Sequence, residues 1–371
     1  EALLDGVVGA AVAIEPASGK ILALASSPSF DQNSFVGGIT RKQWDSLISN
    51  PFRPMSNRAI QGEYPPGSTY KIITALAGLQ EGVIDESSVI HCPGYYRFGN
   101  RIYRCWKKGG HGKVDIVKAV EESCDVFFYQ VGQRLGVDRL AWYAKAFGLG
   151  SPTGVRLDHE ANGLIPTAAW KKRRTGVPWQ EGETLSIAIG QGFNLATPIQ
   201  MAIIAAAVAN GGHRYQPLIL DTIKAVDGQL LQKIEPQRIG KLPVSPFHLE
   251  LVKLGLWKVV NGENGTARGS RLSDIDISGK TGTSQVISRK DNESMAEEDM
   301  PAHLRSHAWF IAYAPSEKPT IAVAVVVEHG EHGSGAAAPI AKEMIKTFLR
   351  QPAVKTKVAT QNKADNIGGD G

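Results

Sequence analysis

The sequence predicts a mixed α/β fold, with strands at both ends of the chain and a mostly helical middle. Two hairpin patterns and a series of helical patterns carry that prediction. Residues 7 to 16 (VVGAAVAIEP) and 20 to 27 (KILALASS) are apolar and partly alternating, with Pro16-Ala17-Ser18-Gly19 as the turn between them, which is a β-hairpin pattern. Residues 307 to 314 (HAWFIAYA) and 320 to 328 (TIAVAVVVE), joined by PSEKP, form a second hairpin; its Val-rich strand reads as buried on both faces. Between the hairpins, residues 68 to 79 (STYKIITALAGL) read as a helix entered from Pro65-Pro66-Gly67. A further helix starts at or near Asp115, and its apolar run continues through Phe127, Phe128 and Val131. Residues 197 to 209 (TPIQMAIIAAAVA) carry Thr at the N-cap and Pro at the first helical position, and Gly211-Gly212 stops them. Residues 247 to 260 form another helix, Ile275 to Thr283 a short strand, and Ala336 to Leu349 a last helix with Ile340, Met344, Ile345 and Phe348 on one face.

Composition supports a folded chain. Of 371 residues, 42% are hydrophobic and 21% charged, enough for a sizeable core, which excludes a disordered or fibrous protein. No run of about 18 apolar residues is present to span a membrane. The chain starts at Glu1 without a signal peptide, so it is expected to be processed or cut from a longer protein. The net charge of +5 is scattered. The one dense basic run, Lys171 to Arg174, reads as a solvated face, so no nucleic-acid partner is expected. Residues 288 to 304 are polar and read as a mobile loop, and residues 351 to 371 as a disordered tail.

Three short motifs carry chemistry. Ser68-Thr69-Tyr70-Lys71 is S-x-x-K at a helix entry. Residues three apart share a helix face, so Lys71 is placed to activate the Ser68 hydroxyl, a weak nucleophile without a base. The helix N-terminus offers free N–H groups to an oxyanion. Ser123-Cys124-Asp125 follows, and then Lys280-Thr281-Gly282-Thr283 on a strand. There Gly282 would let a substrate backbone approach, and Lys280 and the threonines would present a cationic, hydrogen-bonding wall to a carboxylate.

In this order, S-x-x-K, S-x-D and K-T-G resemble the signature of the penicillin-binding proteins and serine β-lactamases. Residues 57 to 68 (NRAIQGEYPPGS), 106 to 112 (WKKGGHG), 190 to 192 (GQG) and 196 to 201 (ATPIQM) are similar to the penicillin-binding protein 2 branch of the class B enzymes, the transpeptidases of the elongation machinery. S-x-D in place of the commoner S-x-N is shared with that branch. The resemblance covers roughly residues 7 to 350. It implies a transpeptidase domain over residues 1 to 350, with a five-stranded antiparallel sheet flanked by helices plus an all-helical lobe. It also implies a membrane anchor and N-terminal pedestal, absent from this sequence, and a location on the periplasmic face of the inner membrane.

The resemblance further implies a mechanism. Ser68 attacks the carbonyl between the last two D-alanines of a peptidoglycan stem peptide, Lys71 takes its proton, and Ser123 with Lys280 protonates the leaving D-alanine. The N–H groups of Ser68 and Thr283 bind the oxyanion, while Lys280, Thr281 and Thr283 hold the carboxylate. Asp125 orients Lys71 or binds the donor amide, and an amine of a second stem peptide resolves the acyl-enzyme. The two lysines near one serine would push one pKa down. β-Lactams would acylate Ser68. A SEDS-type glycosyltransferase and a rod-complex scaffold are the implied partners, engaged through missing N-terminal parts.

Two rivals stand beside the transpeptidase. A serine β-lactamase would place a deacylating glutamate, but no E-x-x-L-N lies between Ser123 and Lys280 and the nearest candidate is Glu183. A non-enzymatic β-lactam sensor would keep the acyl group and signal to a membrane partner. Finally, Cys92, Cys105, His111 and Cys124 are the right donors for one structural zinc that uses every cysteine; one disulfide with a spare thiol, or three unpaired thiols, are the alternatives.

Overall fold

A computed structural model describes residues 1–286 and 300–350. The tail expected over 351 to 371 lies outside the described residues, as does the polar loop as far as residue 299; a 3-10 turn, Ala302–Leu304, follows it. Both predicted hairpins form. Gly9–Ile14 (β1) pairs antiparallel with Ile21–Ser27 (β2). Ser278–Ser284 (β3), His307–Ala314 (β4) and Ile321–Val327 (β5) complete a sheet of order β3-β4-β5-β1-β2. The two chain ends are joined at its centre, where Gly9 lies opposite Val327 and Ile14 opposite Ala322. All seven residues of β5 are buried, as the valine run requires, because helices cover it.

The helices follow from their caps and apolar faces. Lys71–Gln80 (α1) continues from a 3-10 turn, Gly67–Tyr70. Ile116–Glu121 (α2) is capped by Asp115, whose carboxylate accepts from the Lys118 N–H. Asp125–Leu135 (α3) follows. The apolar run after Asp115 is therefore two helices, not one. The break falls at Ser123, whose φ of 54° is left-handed and cannot continue a right-handed helix. Ala168–Thr175 (α4) and Glu181–Ala188 (α5) lie in the helical lobe. Pro198–Ala209 (α6) has the predicted Thr197 N-cap, in a capping box with Gln200, and no exposed face, so it is a buried helix, packed on β1 and β5. Pro246–Asn261 (α7) packs on β3, and Ala337–Arg350 (α8) packs on β4 and β5.

Two features depart from the sequence reading. Residues 90 to 114, where the sequence suggested no strand, form two small ribbons, Ile90–Cys92 with Gly112–Val114 and Tyr95–Phe98 with Arg101–Arg104. The basic run is only partly a solvated face. Lys171 turns inward from α4 and meets the Glu183 carboxylate of α5 at 2.6 Å, because burying its ammonium demands a counter-charge.

The start of β4 contains an acid-sensitive contact. His307 Nδ1 accepts the His329 N–H at 3.1 Å, and the two rings lie 4.8 Å apart. Burial, then the neighbouring His329, lowers the His307 pKa to about 4. An unfolded histidine titrates near 6.5, so protons bind the unfolded chain more readily. The stability held by neutral His307 is whole above about pH 6.5 and is lost as pH falls toward 4, a change of about 3 kcal/mol. Denaturant midpoints measured between pH 7 and 4 should therefore fall less steeply in His307→Gln than in the parent; parallel curves would show that His307 does not govern this window.

Candidate active site

Ser68 sits in the 3-10 turn that precedes α1. Three residues per turn eclipse positions i and i+3, so Ser68 and Lys71 line up more closely than in the α-helix expected from the sequence. The turn is held from three directions. Trp309 Nε1 donates to Pro65 O at 3.0 Å, Thr69 Oγ1 to Pro66 O at 2.6 Å, and Gly67 N to Gly190 O at 2.9 Å. Gly67 has φ +54°, and a Cβ there would meet Thr283 O at 2.6 Å; a Cβ on Gly190, at φ +74°, would meet Gly67 O at 2.1 Å. Only glycine permits this approach. Ser68 is half-buried, and among the described residues its hydroxyl has no hydrogen-bond partner.

Lys71 does not donate to Ser68. It is fully buried, and its Nζ donates to Ser123 O at 2.9 Å, Ser123 Oγ at 3.1 Å and Asp125 Oδ1 at 2.6 Å. Three acceptors use all three ammonium protons. The left-handed backbone at Ser123 is what turns both its carbonyl and its hydroxyl to one lysine. Asp125, the first residue of α3, accepts the Trp106 N–H on its other oxygen at 2.9 Å, and Trp106 Nε1 donates to Glu122 O and Ser123 O at 3.0 and 3.1 Å. Both carboxylate oxygens of Asp125 are thus committed, one to Lys71 and one to the Trp106 N–H.

The K-T-G strand closes the other side. Lys280 is fully buried, and its pKa is held well below the ordinary lysine range, first by burial and then by the charge of Lys71. Side chains alternate along a strand, so Lys280 and Gly282 face the Ser68 turn. At Gly282 a Cβ would meet Trp309 Cβ at 2.9 Å and Pro66 O and Thr69 Cγ2 at 3.0 Å. The missing side chain thus admits the serine turn. Thr281 Oγ1 lies 2.8 Å from Thr266 Oγ1, and Gln191 Nε2 donates to Thr283 O at 3.0 Å. Sequence reading missed Trp106, Thr266 and Gln191 as site residues. Trp106 and Gln191 lay in stretches that resembled the family but carried no role, and Thr266 had no signal.

Cys92, Cys105, His111 and Cys124 are all buried, and their ligand atoms lie within 4.8 Å of one another. The three thiols are unbridged. His111 Nδ1 is 3.5 Å from both Cys92 Sγ and Cys105 Sγ. Its Nε2 is buried without a hydrogen bond, 3.8 Å from the Glu122 carboxylate. Hydrogen bonding to Cys124 lowers the Cys92 and Cys105 pKa values, and the same sharing raises that of Cys124. Cys124 reaches the cluster as the N-cap of α3, after the Ser123 break.

An edge strand bearing K-T-G against an S-x-x-K turn, on a five-stranded antiparallel sheet, defines the class of penicillin-recognising serine proteins. Residues 9–346 match the family model described as penicillin binding protein transpeptidase domain. The chain is 40% identical over 371 residues to the peptidoglycan D,D-transpeptidase MrdA of Haemophilus influenzae, an alignment covering 98% of this chain and 56% of that protein. It thus spans about half the length of such relatives. The crystal structure of Pseudomonas aeruginosa PBP2 in complex with WCK 5153 superposes with a TM-score of 0.82 at 40% identity, covering 94% of this chain and 72% of that one. Helicobacter pylori PBP2 in complex with MreC gives 0.82 at 34% identity, over 94% and 61%. The chain belongs to the penicillin-binding protein transpeptidase family.

The glycine contacts supply a direct test. Gly190→Ala combines a left-handed φ with a contact against Gly67 O, and should lower stability by about 2 kcal/mol or more. Denaturation by urea, followed by tryptophan fluorescence, reads this out; an unchanged midpoint would show that the Ser68 turn moves aside freely.

Proposed function

We propose that residues 1 to 350 form a D,D-transpeptidase domain that cross-links peptidoglycan stem peptides through an acyl-enzyme at Ser68. The observation that carries this reading is the buried Lys71, which is joined to both Ser123 and Asp125 beside an uncommitted Ser68 hydroxyl. Ser68 attacks the D-alanyl carbonyl. To serve as base, Lys71 must first lose one of its three protons to solvent; the neutral amine then takes the Ser68 proton, and Ser123 Oγ can relay it to the D-alanine nitrogen as the scissile C–N bond breaks. Asp125 holds Lys71 in place. Lys280 lends its side of the cleft either positive charge or, when neutral, a further proton relay. Thr281, bonded to Thr266, and Thr283 line the wall expected to take the substrate carboxylate, with Gly282 allowing the turn and strand to meet. An amine of a second stem peptide then takes the acyl group.

The relatives' names support peptidoglycan as substrate, and the H. pylori relative solved with MreC supports a rod-complex scaffold as partner. The SEDS-type glycosyltransferase partner rests on the motif resemblance. Among the described residues no helix is long and apolar enough to cross a membrane; we place the domain at the periplasmic face of the inner membrane, anchored by other parts of the protein. Glu183, the one candidate for a deacylating glutamate, is engaged by Lys171, which favours a long-lived β-lactam adduct over turnover.

Fluorescent penicillin tests this. The parent chain should label stably at Ser68, Ser68→Ala should not label while keeping its melting temperature, and nitrocefin turnover should be negligible. An adduct mapped to Ser123, or hydrolysis faster than about one per second, would reject the assignment or favour a β-lactamase.

The Cys/His cluster fits one structural zinc. Three sulfurs and one imidazole nitrogen converge in a buried pocket, and the orphaned His111 Nε2 faces the Glu122 carboxylate, an arrangement usual behind a metal-bound histidine. Zinc would supply only a structural tie. Cys92, Cys105 and His111 would be fixed to Cys124, beside Ser123. Elemental analysis should find near one zinc per chain, and Cys124→Ser should lower the melting temperature and slow acylation. A metal-free chain with a two-dalton mass deficit would replace zinc with a disulfide.

A further inference from the structure

We infer that Gln191 is a positioning residue for the oxyanion site, its side-chain amide holding the edge strand so that the Thr283 N–H faces the carbonyl attacked by Ser68. The inference rests on the acyl-enzyme reading above. β3 is the outer strand of the sheet, with β4 as its single neighbour. In an antiparallel strand the N–H and C=O of one residue point to the same side. The Thr283 carbonyl accepts from Gln191 Nε2 at 3.0 Å, so it points off the sheet edge, and the Thr283 N–H points off the edge with it. The Ser68 turn lies directly beside that peptide: a Cβ on Gly67 would fall 2.6, 3.0 and 3.3 Å from Thr283 O, C and N.

Gln191 comes to this point from the helical side. It follows α5 and Gly190, and its own N–H donates to Ser186 O at 2.9 Å. Gly190 O receives the Gly67 N–H at 2.9 Å. One segment, Gly190-Gln191, therefore grips both halves of the oxyanion site, with Gly190 on the serine turn and Gln191 on the strand. An edge strand left with unpaired groups is free to twist. Fixing the Thr283 carbonyl fixes the strand's rotation at that residue, and a donor must lie within about 2.7–3.1 Å of the developing oxyanion to be effective. A neutral amide does this without placing a second charge beside the site. Gln191 does not touch the reacting atoms in this scheme.

The experiment separates the hydrogen bond from simple packing. Gln191→Met keeps the side chain's length and bulk but has no donor, and Gln191→Glu turns a carboxylate toward the Thr283 carbonyl. For each variant, rapid-mixing measurement with fluorescent penicillin resolves the non-covalent Kd from the acylation rate constant. A peptide boronic acid that forms a tetrahedral adduct on the serine reports the oxyanion site by its affinity. Gln191→Met is expected to lower the acylation rate constant and the boronate affinity together, by about tenfold, with the non-covalent Kd and the melting temperature unchanged, and Gln191→Glu is expected to lose more. Acylation of Gln191→Met at the parent rate overturns the inference and leaves the Ser68 assignment standing. A loss that merely follows a lowered melting temperature also overturns it, in favour of packing. Failure of the parent chain to label at Ser68 would instead overturn the underlying reading.

Discussion

A lysine sealed from solvent must have each of its N–H groups met, and the cleft is arranged around that demand at Lys71. A buried ammonium left short of acceptors costs several kcal/mol. Two of its three acceptors come from one residue, Ser123, and a right-handed helical residue could not offer both its carbonyl and its side chain in that direction. The left-handed backbone there, a sparsely populated state for serine, follows from the demand. That backbone ends α2, starts α3 and places Asp125 in the first turn of α3, where the helix dipole favours its negative charge. The second oxygen of Asp125 needs a donor in turn, and the Trp106 N–H supplies it. Trp106 directly follows Cys105, so the chain of necessity that starts at one ammonium runs out to the Cys/His cluster.

Lys280 is the complementary case. It too is fully buried, but the charge of Lys71 repels it, while Asp125 offsets only part of that. Two cations in one dry pocket cannot both be charged cheaply. The arrangement displaces Lys280 toward neutrality, while the Asp125 carboxylate lies against Lys71. The sequence reading foresaw that one lysine would shift; the contacts decide which.

How much of this was legible depended on whether a contact is written into a local pattern. S-x-x-K, S-x-D and K-T-G are short spacings, and strand or helix periodicity places them. The valine run of β5 and the all-apolar α6 announce their burial by composition, so the sheet and its covering helix followed. The helix break at Ser123 was hidden because a left-handed break is signalled by glycine or asparagine, and serine signals nothing. Gln191, Thr266 and Trp106 were hidden for a different reason. Each meets partners 15 to 92 residues away through ordinary hydrogen bonds, and no spacing encodes such a meeting. Gly282 shows a third case, in which the residue was singled out but the neighbours that hold it to glycine, Pro66 and Thr69, lie far along the chain.

The pairing of β1 with β5 bears on how the chain reaches this state. Gly9 finds its partner at Val327, so the middle of the sheet joins segments separated by almost the whole described chain. Loop closure over such a span is entropically expensive and slow relative to local helix formation. The helical lobe, with Lys71, Ser123 and Asp125 already in it, can assemble from its own short-range contacts while β1 and β2 wait as an unpartnered hairpin. Only after the chain through residue 327 is available can β5 enter between β4 and β1 and bring the K-T-G strand against the serine turn. Emergence of the last strands, in a chain made or exported from its N-terminus, is thus the event that converts a half-built cleft into a complete one.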